Sequence, residues 1–155
     1  IIQLISQSVG PDGMIAGQAL DITQDKPNDL KTLELQHHLK TGLLISASIN
    51  AITLLKPGLN DITKQSLQNF ATAIGLAFQI QDDILDITQP SDQLGKTAGK
   101  DIDQNKLTYP NVMGLTLAKQ QCQIAYDKAI KALHPIENKA QELIHIANHI
   151  IHRDY

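Results

Sequence analysis

The stretch "LQNFATAIGLAFQIQDDILDIT", residues 67–88, brings an apolar residue round at every third or fourth position along its length. A helix advances about 100° per residue, so this spacing collects side chains on defined faces. Leu67, Phe70, Ala71, Ile74, Phe78, Gln81 and Leu85 form one stripe, the expected core face. Gly75, Gln79, Asp82 and Asp86 form a second stripe directly beside it, and Asp83 points further round. Two carboxylates and a carboxamide therefore line a wall at the edge of the core, and a glycine leaves space on the same wall. Carboxylates among isoleucines and leucines cost solvation unless something pairs them. These also sit at the C-terminal end of the helix, where the helix dipole disfavours negative charge.

The segment after the helix supplies positive charge. Residues 89–106 read as a polar loop with Pro90, Gly95 and Gly99, carrying Lys96, Lys100 and, at its end, Lys106. Hard oxygen ligands at helical spacing suit Mg²⁺, which makes Asp82, Asp83 and Asp86 the candidate metal ligands. Lysines in a glycine-punctuated loop suit phosphate. The combination points to a magnesium diphosphate as the partner of the acidic wall. The bland reading, solvated surface acids, leaves both the apolar flanks and the adverse dipole position without a reason.

Beyond this region the pattern stays helical. No alternating strand run and no Asn-Gly hairpin occurs. The spacing predicts a helix over 1–9 stopped by Gly10-Pro11, and a short one over 13–21 capped by Asp12. A long helix follows from Asn28 or Asp29 to about residue 55, and the central helix is capped by Asp61 or Thr63 and ends near residue 88. A short helix begins after Pro110, one spans 118–133, and a last one, 136–152, is opened by Pro135. At 155 residues this is one all-α unit able to bury a sizeable core. A net charge of −3 shows no basic face for nucleic acid, and two Phe, three Tyr and no Trp argue against base stacking. The single Cys122 forms no internal disulfide, consistent with a reducing, cytoplasmic setting. Between its proline and glycine breaks, no uninterrupted apolar run approaches the roughly 20 residues of a membrane span. The opening residues, IIQLISQSVG, lack a basic n-region and read as a helix entered partway rather than a signal peptide.

Three segments together carry a family resemblance. FQxxDDxxD followed by GKxxGKDxxxxKxTYP (residues 78–110) resembles the second aspartate-rich region of the trans-isoprenyl diphosphate synthases, most closely the bacterial farnesyl diphosphate synthase type. Gly17-Gln18-Ala19-Leu20-Asp21 resembles the family's GQxxD segment, with Ala16 where a second glycine is frequent. His38-Leu39-Lys40-Thr41-Gly42-Leu43-Leu44 resembles its HxxKTGxL segment. The three occur in the family's order along essentially the whole chain. The family's earlier DDxxD-type motif and its paired arginines have no counterpart here, where the only arginine is Arg153. The resemblance therefore implies the C-terminal half of a single isoprenoid-synthase-type helical bundle, with the half carrying the first aspartate motif absent.

The resemblance implies Mg²⁺-dependent head-to-tail prenyl transfer, in which an allylic diphosphate (dimethylallyl or geranyl) ionises and isopentenyl diphosphate attacks the cation. Farnesyl diphosphate is the expected product, with geranylgeranyl or longer chains as the alternative, and a homodimer is the expected assembly. On this reading Asp82 is the direct metal ligand, and Asp83 and Asp86 act through metal-bound water. Lys40, Lys96 and Lys106 bind diphosphate, with Asp101 as a loop-closing partner; Lys100 divides evenly between that use and solvent. Thr41, Gln79 and the Lys40 carbonyl offer dipoles to the cation, and a kink at Gly42 frees that carbonyl. Gln18 and Asp21 orient Lys40, Tyr109 packs below the loop, and Gly95 and Gly99 let the loop close over the diphosphate. His145, His149 and His152 share one helix face, with Leu143, Ile146, Ala147 and Ile150 opposite, so they are expected to face solvent. Two rivals remain: a helical interaction module docking a basic partner, and a non-catalytic homologue.

Overall fold

The computed structural model describes residues 1–23, 25, 27–88 and 106–153. Every element among them is helical. Helix α1 (Ile2–Val9) ends at Gly10, just before Pro11, which has no N–H to continue a helix. Helix α2 (Met14–Ile22) follows a tight turn. Helix α3 (Leu30–His37) is capped by Asp29, whose carboxylate accepts the Thr32 N–H at 2.7 Å. It runs through a π turn (His38–Gly42) into α4 (Leu43–Leu55). The central helix α5 (Asp61–Thr88) has 28 residues. After it come α6 (Tyr109–Met113), α7 (Leu115–Leu133), a 3₁₀ turn (His134–Lys139) and α8 (Gln141–His152).

Most boundaries match the sequence reading, and the departures have local causes. The Asn60 side chain, not Asp61 or Thr63, accepts the Thr63 N–H at 2.8 Å and starts α5. No side-chain bond caps α2, so the expected role of Asp12 is not seen. Helix α7 starts at Leu115 rather than 118, because Gly114 adopts φ +84° and turns the chain directly into it. The expected helix over 136–152 is split: Ile136 has non-helical angles (φ −128°, ψ 16°) inside a 3₁₀ turn, and α8 begins only after Ala140. The kink expected at Gly42 takes the form of a π turn, in which the Leu43 N–H donates to the His38 carbonyl.

The core forms where α5 and α7 lie side by side. On α7, Ala118, Cys122, Ala125, Ala129 and Leu133 are buried at helical spacing. Small side chains on that stripe let the two helices approach closely. Phe70, Ile74, Ala77, Ile80 and Ile84 of α5 fill the contact, with Leu33 of α3 and Tyr109 of α6 closing one side. The buried face of α5 is wider than the predicted stripe. Phe78 and Gln81 are only half-buried, whereas Ala77, Ile80 and Ile84 are fully inside. Gly75, Gln79 and Asp83 are buried as well, because α3, α4 and α6 cover further sides of the helix.

The continuous segment Leu30–Leu55 is, by length and composition alone, long and apolar enough to cross a bilayer. Counting uninterrupted apolar runs did not anticipate this. In the fold it packs along α1 and α5. Apolar side chains stay exposed on α1, α2 and α4, among them Ile2, Ile15, Ile22, Ile52 and Leu55.

Candidate functional site

The acidic wall of α5 separates into two environments. Asp82 is 52% exposed, and its Oδ1 accepts a 2.7 Å bond from Nη2 of Arg153. The same guanidinium lies 4.4 Å above the Phe78 ring, and its side chain is 8% exposed. Asp86, one turn further on, has Oδ2 3.8 Å from the Lys106 ammonium, both side chains being partly exposed. Each of these two carboxylates thus draws a basic group from a distant part of the chain. Their hard oxygen donors on one helix face fit a hydrated Mg²⁺, and the two cations already seated there show that the wall accepts positive charge.

Asp83 faces the other way. It is 7% exposed, and its Oδ2 accepts the backbone N–H of Tyr109 at 3.0 Å. His37 Nε2 lies 3.6 Å from that oxygen, and the His37 and Tyr109 rings stack at 5.6 Å between centroids. Burial pushes the Asp83 carboxyl up to about 7, against the opposing pull of the Tyr109 N–H and Lys106. Among the described residues no three His, Cys, Asp or Glu side chains converge as a metal cluster.

Lys40 and Thr41 sit in the π turn, which rests on both α2 and α5. The Lys40 ammonium donates to Asp21 Oδ2 at 2.6 Å, and Gln36 Nε2 donates to Asp21 Oδ1 at 2.8 Å. Asp21 therefore orients Lys40, as the resemblance implied. The expected partner Gln18 is exposed, and its place is taken by the buried Gln36. Gln36 went unrecognised in the sequence, although it precedes Lys40 by one helical turn, which is the spacing that allows both to reach one carboxylate. Gly17 makes the close approach of α2 possible: a Cβ there would stand 2.2 Å from the Lys40 nitrogen. On the α5 side, a Cβ on Gly75 would stand 3.5 Å from the Gly42 Cα. Gly75 thus seats the π turn one helical turn from Gln79, itself buried.

The histidine of the HxxKTGxL segment needs a change of register. Three residues before Lys40 stands His37, not His38, and His37 is the one buried against Asp83. Tyr109 is buried and stacks on His37; the loop it was expected to pack below lies, up to residue 105, outside the described residues. Lys96, Lys100, Asp101, Gly95 and Gly99 lie outside the described residues. His145, His149 and His152 are exposed as predicted, but so is Ile146, which was expected on the buried face. Cys122 is buried, its thiol 3.6 Å from both the Ala77 carbonyl and Gln81 Oε1, and burial pushes it up to about 11.

Comparison with known proteins defines the class. The fold superposes on a geranyltransferase from Helicobacter pylori, solved with magnesium and isoprenyl diphosphate, with a TM-score of 0.76 and 34% identity. That match covers 97% of this chain and 49% of the other. An FPP/GFPP synthase from Zymomonas mobilis gives a TM-score of 0.78 at 34% identity, over 96% of this chain and 49% of that one. The architecture is the all-α isoprenoid synthase fold. The polyprenyl synthetase family model matches residues 1–147, and the chain belongs to that family. Among relatives, a farnesyl diphosphate synthase from Haemophilus influenzae is 45% identical over 138 residues, 88% of this chain and 47% of the relative. A chloroplastic geranylgeranyl pyrophosphate synthase from Capsicum annuum is 40% identical over 153 residues, 97% of this chain and 41% of the relative. The chain spans about half the length of the relatives it matches.

Proposed function

We propose that the protein is a prenyltransferase that joins an allylic diphosphate to isopentenyl diphosphate and, as the first reading, forms farnesyl diphosphate. The observation that carries this is the pair Asp82 and Asp86, each holding a basic side chain at 2.7 and 3.8 Å, on the helix that also seats the Lys40 turn. Asp82 and Asp86 would hold the magnesium ion. Bound there, it supplies Lewis-acid neutralisation of the leaving diphosphate. Lys40 and Lys106 add positive charge for the diphosphate oxygens, and Asp21 keeps Lys40 from swinging away. The Gln79 carboxamide and Thr41 hydroxyl provide dipoles for the allylic cation without a strong nucleophile to trap it. Lys96 is assigned to the diphosphate on its motif position alone. The homodimer and the cytoplasmic location belong to the same proposal and are checked by light scattering and by cell fractionation.

Relatives named for farnesyl and for geranylgeranyl products both match, which keeps a geranylgeranyl or longer-chain product as the second reading. Extraction and sizing of prenyl products made from labelled isopentenyl diphosphate by the intact protein distinguishes the two. The activity itself is tested with Asp82→Ala. Turnover is expected to fall by orders of magnitude with helical circular dichroism preserved, and near-unaltered turnover would refute the assignment. Stabilisation against heat by Mg²⁺ with pyrophosphate, but by neither alone, separates this reading from a helical docking module.

A further inference from the structure

The three carboxylates of the DDxxD segment do not share one role. Asp82 and Asp86 stand on the partly exposed wall, while Asp83 is turned into the protein between α3, α5 and α6. Its Oδ2 meets two groups from separate elements, the Tyr109 N–H at 3.0 Å and His37 Nε2 at 3.6 Å. Each of those groups leads to a residue of the site. His37 is three residues before Lys40 and immediately precedes the π turn. Tyr109 is three residues after Lys106, and Asn111 ties this stretch together: its side-chain amide donates to the Lys106 carbonyl at 2.8 Å, and its backbone N–H donates to the hydroxyl of the capping Thr108 at 3.3 Å. The stacking of His37 on Tyr109 completes a closed triangle around the carboxylate.

We propose that Asp83 is a positioning residue rather than a metal ligand: it ties the start of α6 and the end of α3 to α5, and so sets Lys106 and Lys40 relative to Asp82 and Asp86. The assignment rests on the diphosphate reading for its functional meaning, but the anchoring itself is a property of the fold. An anchor needs an acceptor oxygen at this point, whereas a ligand needs a carboxylate reaching the metal's water shell. Asparagine keeps the acceptor oxygen and the shape while removing the carboxylate, so it separates the two roles.

The test uses the intact protein with Asp83→Asn, Asp83→Ala and Asp82→Asn, and reads two quantities. The first is hydrogen-exchange protection of the Tyr109 amide without ligand. The second is calorimetric affinity for pyrophosphate in the presence of Mg²⁺. Asp83→Asn is expected to keep both near the unaltered values, and Asp82→Asn to keep the protection and lose the affinity. Asp83→Ala is expected to lose protection by roughly tenfold or more, the worth of a buried bond to a carboxylate, and to weaken pyrophosphate binding with it. Rescue by asparagine of what alanine loses is the signature of positioning. The proposal is overturned if Asp83→Asn loses Mg²⁺-dependent affinity as fully as Asp82→Asn while its Tyr109 amide stays protected. It is overturned equally if Asp83→Ala leaves that amide protected. Absence of binding by the unaltered protein would refute the diphosphate reading instead, and the exchange measurement would still decide the anchor. Should Asp83→Ala fail to fold, the comparison of Asp83→Asn with Asp82→Asn carries the decision.

Discussion

Replacing Gly17 by alanine adds one methyl group where α2 crosses the π turn. Its carbon would stand 2.2 Å from the Lys40 nitrogen, 2.6 Å from the Lys40 Cα and 2.8 Å from the Leu39 carbonyl carbon. Non-bonded carbon contacts settle near about 3.5–4.0 Å, so one backbone must retreat by roughly an ångström. All three obstructing atoms are backbone, and no rotamer change relieves them. Overpacking of this kind costs about 1–3 kcal/mol, and for a domain of this size each kcal/mol lowers the melting temperature by about 2–4 °C. The retreat also acts on chemistry. Asp21 stands one helical turn after Gly17 on α2, so moving α2 away stretches the 2.6 Å bond that holds Lys40. Misplacement by about 1 Å can cost on the order of a hundredfold in rate. The assay is thermal unfolding together with steady-state prenyl transfer by Gly17→Ala in the intact protein. A melting temperature and turnover both matching the unaltered protein would refute the close approach as drawn.

Two other outcomes rest on single contacts. Arg153→Gln removes the guanidinium bonded to Asp82; because that carboxylate is half-exposed, the pair is worth no more than about 1 kcal/mol. Calorimetry should show Mg²⁺-dependent pyrophosphate affinity rising by up to about fivefold, and a weaker affinity would show that Arg153 helps the ligand instead of competing with metal. Cys122 is buried and its thiol is pushed up to about 11, so alkylation at neutral pH should proceed only as fast as the protein opens. Labelling that is fast in buffer and no faster in denaturant would contradict its place between α5 and α7.

The helical class, the order of the elements and the position of the acidic wall were legible in the chain itself. They depend on short-range rules: apolar side chains at three- and four-residue spacing make a buried stripe, and proline, glycine and capping side chains end it. Asp21 and Lys40 could be paired from their motifs, and Asp82 with Asp86 from projection round one helix. What the tertiary structure decided depends on which faces meet. Projection placed Asp83 away from the core stripe, yet α3 and α6 close over that side of α5 and turn it into an interior position. Arg153 reaches Asp82 across 71 residues, a pairing that periodicity within one helix does not address. Gln36 replaces Gln18 beside Asp21 because α2 packs along the end of α3 as well as the π turn, and Gly17 permits that approach. A residue's own helix determines the direction in which its side chain leaves; only the neighbouring helices determine whether that direction ends in water, in apolar packing or against another charge.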